Sequence, residues 1–354
     1  MNHLGQIAAR LSEFQIDAML VSSEPGEFYA TGLHGEGYAV VTPDGTRYMT
    51  DSRYAEVAQE TVGPYAEVCI VGEKNYFTLI NEFLAQHNVK KLGIENGYMS
   101  LSQYDTLKEK LEAELVYANG LITGLRATKD EEELARMIKA QDITDAAFTE
   151  ICKFIQPGMT EAEIAAKLVY EMLRRGAQRV SFDPIVASGP NGSKPHAIPG
   201  QRRVQKGEFI TMDFGCVYEG YCSDMTRTVA LGEVDDEKKK VYDTVLKAQL
   251  AGIAASRAGV SGKEIDGAAR KVIADAGYGQ FFGHGYGHSV GIEIHEAPNA
   301  NARNEQPMPV GAMVSAEPGI YLPGQFGVRI EDVVRMEEGG VTDITHSPKE
   351  LIIL

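Results

Sequence analysis

The stretch Gly158-Met-Thr160-Glu-Ala-Glu163-Ile164 returns 101 residues later as Gly259-Val-Ser261-Gly-Lys-Glu264-Ile265. Both read Gly-x-(Ser/Thr)-x-x-Glu-Ile, the capping box of a helix that is just beginning. Each predicted helix stops at a glycine, Gly176 and Gly277, again 101 apart, as a left-handed C-terminal stop requires. Further on, Gly207-Glu-Phe-Ile-Thr-Met-Asp213-Phe-Gly215 aligns with Gly311-Ala-Met-Val-Ser-Ala-Glu317-Pro-Gly319 at an offset of 104. One hairpin beyond each comes another acid, Asp224 and Glu331. Four matches in the same order, at offsets of 101 to 107, predict two helix–strand half-domains that face each other. Each half lends two carboxylates to a shared centre.

The acids sit where strands would hold them. Alternation in Phe209-Ile210-Thr211-Met212-Asp213-Phe214 predicts a strand with Asp213 on the face opposite Ile210, Met212 and Phe214. A turn around Glu219-Gly220 then folds Asp224 back beside Asp213. Two carboxylates forced together need a proton or a cation between them. Two like charges 4 Å apart cost roughly 4 kcal/mol even at an effective dielectric of 20, so four converging acids call for two divalent cations. Oxygen-rich ligation with little nitrogen suits Mn2+ or Co2+ and admits Zn2+, and lacks the thiolates of a structural zinc site.

An imidazole should complete such a centre. Three of the eight histidines fall within 12 residues, in Gly283-His284-Gly285-Tyr286-Gly287-His288 and His295-Glu296. The interleaved glycines disfavour a helix there. The H-E-x-x-H pattern of a helical zinc peptidase is absent, since His295-Glu296 has no histidine three residues on. A nucleotide-binding loop is a weak alternative, because the strand and helix it needs are not suitably spaced.

Net charge is −16 and pI about 5.0, which argues against nucleic acid or an anionic membrane as the main partner. The N-terminus lacks an apolar signal region, and no stretch approaches the ~18 apolar residues of a membrane span. Four cysteines with no C-x-x-C pair point to free thiols and a cytoplasmic protein. Residues 1 to about 120 alternate strands (17–22, 38–42, 47–50, 67–71, 91–95, 114–117) with helices (4–14, 52–60, 76–87, 101–111), which predicts an α/β layer with a partly parallel sheet. His34-Gly-Glu-Gly-Tyr38 lacks dinucleotide-loop spacing. Asp51-Ser-Arg53-Tyr54 reads as a helix N-cap with a surface ion pair. Asn119-Gly120 signals a turn at the domain boundary, and Thr128-Lys-Asp-Glu131 reads as the capping box of a helix to about Ile155.

With their flanks Met-Asp-Phe-Gly, Ser-Asp-Met-Thr-Arg, His-Gly-x-Gly-His, Glu-Pro-Gly-Ile-Tyr and Val-Arg-Ile-Glu-Asp, the residues Asp213, Asp224, His288, Glu317 and Glu331 resemble the pita-bread metallopeptidases. That family includes Xaa-Pro dipeptidase (prolidase), aminopeptidase P, methionine aminopeptidase and the metal-free creatinase. The resemblance implies an α+β chain. A C-terminal pita-bread fold of two pseudo-symmetric αβ halves (126–354) would follow an α/β creatinase/prolidase-like N-terminal domain (1–125), the latter resembling the family through Thr50-Asp51-Ser-Arg53-Tyr54. It also implies two divalent metal ions, manganese first, with cobalt or zinc as alternatives. Asp224 and Glu331 would bridge them, Asp213 would chelate one, and His288 with Glu317 the other. A hydroxide between the metals would attack, and Glu317 would move the proton. His295 and His196 would steady the carbonyl and oxyanion, His284 would line the pocket, and Arg329 would orient a carboxylate or the substrate. All five ligand positions match, which disfavours a creatinase-like activity or a non-catalytic binding relative.

An N-terminal domain accompanies prolidases and aminopeptidases P within the family and is absent from small methionine aminopeptidases. The expected substrate is therefore a small peptide with proline at its second position, handled by a homodimer. A dipeptidase must also meet the free carboxylate after proline. Arg303, 14 residues before Glu317, is placed where prolidases can carry such a clamp, or is a solvated loop residue. The expectation is a dipeptidase, with an aminopeptidase P acting on longer Xaa-Pro-Yaa peptides as the alternative.

Overall fold

The computed structural model describes residues 2–354, which divide into two compact units at Arg126/Ala127. Among the described residues no helix is long and apolar enough to cross a membrane.

In the first unit the chain runs α1 (Leu4–Arg10), β1 (Ala18–Val21), α2 (Glu24–Thr31), β2 (Tyr38–Thr42), β3 (Gly45–Thr50), α3 (Ala55–Thr61), β4 (Glu67–Ile70), α4 (Tyr76–Gln86), β5 (Lys91–Ile94), α5 (Leu101–Lys110), β6 (Glu114–Tyr117) and α6 (Asn119–Arg126). The six strands form one sheet in the order β4-β3-β2-β1-β5-β6. Its β1–β2 and β2–β3 pairs are antiparallel and the others parallel, so the partly parallel sheet is found. Leu20, Val40, Ile80, Leu84, Leu92 and Ile94 form its core.

Two helices were not expected. In α2 the Ser23 side chain accepts from Gly26 N, and a proline sits in the first turn, a position where its missing N–H costs nothing; read linearly, Glu-Pro-Gly-Glu looks like a turn. Asn119-Gly120, expected as a turn, opens α6 instead. Asp51 does not cap α3, whose N-cap is Tyr54 with no side-chain bond. It takes the exposed Arg53 guanidinium at 2.6 Å, the surface ion pair that was expected.

The second unit opens with α7 (Glu131–Phe154). Its cap is Asp130 with Glu133, two residues later than the Thr128–Glu131 box, because Asp130 accepts from two backbone amides, Glu132 N and Glu133 N. The chain continues through α8 (Glu161–Leu173), β7 (Arg179–Val180), β8 (Ile185–Ser188), β9 (Glu208–Phe214), β10 (Cys216–Tyr218), β11 (Tyr221–Cys222), β12 (Met225–Leu231), α9 (Asp236–Ala255) and α10 (Gly262–Asp275). It ends with β13 (Gly287–Ser289), β14 (Glu296–Ala300), β15 (Met313–Ala316), β16 (Gly319–Leu322), β17 (Phe326–Arg329), β18 (Asp332–Glu337) and β19 (Gly340–Asp343).

The repeat is structural. Thr160 and Ser261 both cap their helices with complete boxes, and Gly158, Gly259, Gly176 and Gly277 all hold positive φ. Thr160 bridges Arg203 and Ser261 bridges Pro307, an equivalent contact in each half. One core packs α7 and α8 against β9 through Ile164, Leu168, Ile210, Met212 and Phe214. The other packs α9 and α10 against β15 and β18 through Val245, Ile265, Ile273, Val314 and Val334. Strands β8, β9 and β12 make one sheet, and β14, β13, β15, β18 and β19 another. Glu331 N donates to Thr226 O at 3.0 Å, joining the two halves beside the acids.

Candidate functional site

Strand alternation delivers the acids of the first half. In β9 the core takes Ile210, Met212 and Phe214, which turns Thr211 and Asp213 to the other face. Glu219 and Gly220 both have positive φ, 44° and 83°, the backbone of a tight two-residue hairpin turn. The strand that returns pairs Thr226 with Asp213. Asp224 lies two residues before Thr226 and shares its face. In the second half Glu317 immediately follows β15 and Glu331 immediately precedes β18, where Ala316 pairs with Asp332.

These side chains meet on the wall of one cavity of about 630 Å³, lined by Asp213, Asp224, His288, Glu317, Glu331 and Arg329, with His196, His284 and His295 around them. Ligand atoms of Asp224, His288 and Glu331 all lie within 4.8 Å of one another. His288 Nε2 is 3.3 Å from Glu317 Oε1 and 3.7 Å from Asp224 Oδ2. Its Nδ1 is 3.2 Å from the Ser289 carbonyl oxygen, an arrangement that parks a proton on Nδ1 and leaves Nε2 for the centre. Asp213 pairs with Arg329 through Oδ2, while its Oδ1 is buried without a hydrogen-bond partner among the described residues.

The electrostatics are those of a crowded acidic pit. Burial, with Asp213 beside it, raises the Asp224 carboxyl well above its usual range; burial and Asp224 do the same to Glu331. For Glu317 burial pushes upward too, but the hydrogen bond and charge of His288, with His284 and Arg329, together outweigh it and bring the group to about 2. Burial would lower His288, and Glu317 instead raises it to about 9. Divalent cations would relieve this repulsion. Four carboxylates, one imidazole aimed by its other nitrogen, and an orphaned buried oxygen are a donor set that fits them.

Sequence reasoning missed the hydroxyls behind these groups. Thr226 Oγ1 donates to Glu331 Oε2 at 2.7 Å and accepts from Arg329 Nε at 3.0 Å. Ser315 Oγ donates to Glu317 Oε1 at 3.2 Å. The Tyr321 hydroxyl stands 2.9 Å from Arg329 Nη1 and 2.8 Å from His284 Nε2. Thr226 and Tyr321 stood in the motif flanks Ser-Asp-Met-Thr-Arg and Glu-Pro-Gly-Ile-Tyr without a role, and nothing local marked Ser315. Apolar Phe182, Pro184, Ile198 and Ile294 complete the cavity wall. Arg303 lies apart from it: the residue is exposed on a turn where its backbone N–H donates to Asn301 Oδ1, and it does not line the cavity.

Residues 135–338 match metallopeptidase family M24, and residues 4–128 match the creatinase/prolidase N-terminal domain. An Xaa-Pro dipeptidase of Pyrococcus horikoshii is 34% identical over 99% of this chain and 100% of its own. The solved structure of an Xaa-Pro dipeptidase from Bacillus anthracis superposes with a TM-score of 0.95 at 38% identity, covering 99% of each chain. An X-Pro aminopeptidase from Thermotoga maritima gives 0.91 at 35%, over 98% of this chain and 100% of that one. The chain belongs to metallopeptidase family M24, with a pita-bread domain that follows a creatinase/prolidase N-terminal domain.

Proposed function

We propose that this protein is a two-metal peptidase that hydrolyses the bond preceding proline in small peptides, with 126–354 as the catalytic domain. The observation that carries the reading is the meeting of Asp213, Asp224, His288, Glu317 and Glu331 on one cavity wall, with a spare buried oxygen on Asp213. Relatives named for Xaa-Pro cleavage support the substrate class. Asp224 and Glu331 would hold both cations, Asp213 one, and His288 with Glu317 the other; manganese is the first candidate, cobalt and zinc the next. Bound there, a metal pair lowers the pKa of a water and polarises the carbonyl. Glu317 takes the proton of the attacking water and passes it to the departing proline nitrogen. His295 and His196 donate to the carbonyl oxygen as it gains charge. Proline offers no N–H, so strand-like gripping fails; an apolar wall of Phe182, Ile198 and Ile294 suits its ring instead. Arg329 holds Asp213 in place, with its guanidinium also spent on Tyr321 and Thr226.

A specific observation favours the second substrate reading, an aminopeptidase acting on longer peptides. A dipeptide brings a free carboxylate after proline, yet Arg303 is off the cavity, and Arg329, the one guanidinium lining it among the described residues, is already paired. One experiment tests both levels: strip the enzyme with chelator, restore it with Mn2+ or Co2+, and compare Xaa-Pro with Xaa-Pro-Yaa. Metal-restored cleavage is expected, faster on the tripeptide and unchanged in Arg303→Ala. Absence of metal-dependent turnover on either peptide would overturn the peptidase. Collapse of dipeptide turnover alone in Arg303→Ala would reinstate the dipeptidase clamp.

A further inference from the structure

Lys129 is a buried cation with no part in the chemistry above: its side chain is 1% exposed. Burying an ammonium is costly unless it is paired. Its partner is Glu296, whose side chain is 4% exposed, with Nζ 2.9 Å from Oε2. The other oxygen of Glu296 accepts from Glu293 N at 3.1 Å. The carboxylate therefore reaches back over the irregular turn between β13 and β14. It lies so close over Gly291 that a Cβ there would come 2.5 Å from Oε2. The same turn is pinned from the first half-domain, where Cys222 N donates to Gly291 O at 2.7 Å, two residues before Asp224.

What the turn delivers is His295. It is the last residue of the turn, directly before Glu296, the first residue of β14. Glu296 is held on the far side by Lys129, while His295 lines the cavity. Its ring centroid lies 4.3 Å from that of His288, at 68°. We propose that Lys129, through Glu296, is a positioning residue that fixes the His295 ring against His288 and the scissile carbonyl. This rests on the peptidase reading above. An ammonium at the end of a stiffly packed stem defines one direction for the carboxylate. Without it Glu296 loses its buried cation, and the turn that carries His295 is held less firmly.

Lys129→Met alone would leave Glu296 charged and buried, so the informative variant is Lys129→Met/Glu296→Gln, which removes both charges and keeps an acceptor for Glu293 N. With Ala-Pro-Ala and Mn2+, kcat should fall about tenfold or more, the usual scale for a partner one step behind an acting group. KM should stay within about twofold, and Mn2+ stoichiometry by calorimetry and the melting temperature should stay near wild type. Adding His295→Ala should cost far less in the double variant than in the wild type, since the two act through one group. Lys129→Arg should recover much of the loss. A wild type that cleaves no Xaa-Pro peptide overturns the functional reading, and this role with it. An active wild type whose double variant keeps full kcat, or in which His295→Ala costs the same in both backgrounds, overturns the role of Lys129 alone.

Discussion

Thr226 shows how much of this centre depends on groups that carry no charge. It is fully buried, and one hydroxyl serves both Glu331 and Arg329. Thr226→Val keeps the shape and removes the hydroxyl, which leaves a carboxylate oxygen and a guanidinium N–H without that partner. Orphaned buried groups cost about 1–3 kcal/mol, and loss of a supporting hydrogen bond typically costs about 10–100-fold in metal affinity. Mn2+ titration calorimetry and thermal melts should both register the change; wild-type affinity would mean that Thr226 does not orient Glu331. At this scale charge, strand alternation and the repeat singled out the acids, because those are local properties, while His288 was named through its resemblance to the family motif. The sequence was silent on any role for Tyr321, whose value comes from two partners 8 and 37 residues away.

At the scale of the element, the glycines around the histidines have a packing reason. A nucleotide loop was one way to read Gly283, Gly285 and Gly287. In the structure β13 runs against β15, and a Cβ on Gly287 would lie 1.9 Å from the Ser315 carbonyl oxygen. No side chain fits there, so His288 is carried within reach of Glu317 by the close approach of two backbones. Gly287→Ala must push the strands apart. Overpacking of this kind costs about 1–3 kcal/mol, and His288 would leave its 3.3 Å contact with Glu317. The expected result is a lower melting temperature together with weaker Mn2+ binding; a variant that binds metal and melts like wild type would show that the strands yield freely. Helix ends were legible where a capping box stood at the right offset, as at Thr160 and Ser261. They were misplaced at Thr128, because Asp130 offers the same chemistry two residues on and makes two bonds.

Across the catalytic unit as a whole, Arg227 ties the two halves and the end of the chain together. It is 1% exposed. Its guanidinium donates to Thr226 O, Glu331 O, Asp332 Oδ1, Ser347 O and Pro348 O at 2.6–2.9 Å. Asp332, fully buried, also accepts from Gln249 Nε2 and from Lys349. Beyond them, the last residues pair alongside β12, with Leu354 N on Ala230 O. Arg227→Met leaves the buried Asp332 with Lys349 as its one remaining cation and takes a donor from the Glu331, Ser347 and Pro348 carbonyls; breaking a buried pair from one side costs about 3–5 kcal/mol. Urea denaturation of the metal-free protein should show a loss of that size; a change under about 1 kcal/mol, the scale of an exposed pair, would mean that the pair contributes as little as a surface one.

The twofold repeat, its helix caps and the acids it aligns followed from sequence alone, since caps, glycine stops and alternation act over a few residues. How closely His288 approaches Glu317 and Asp224, and that Arg303 stands outside the cavity while Arg329 is already paired, were decided only by the tertiary structure. Those contacts join residues about 30 to 120 apart and depend on how closely strands and turns approach. Local pattern carries no measure of that distance.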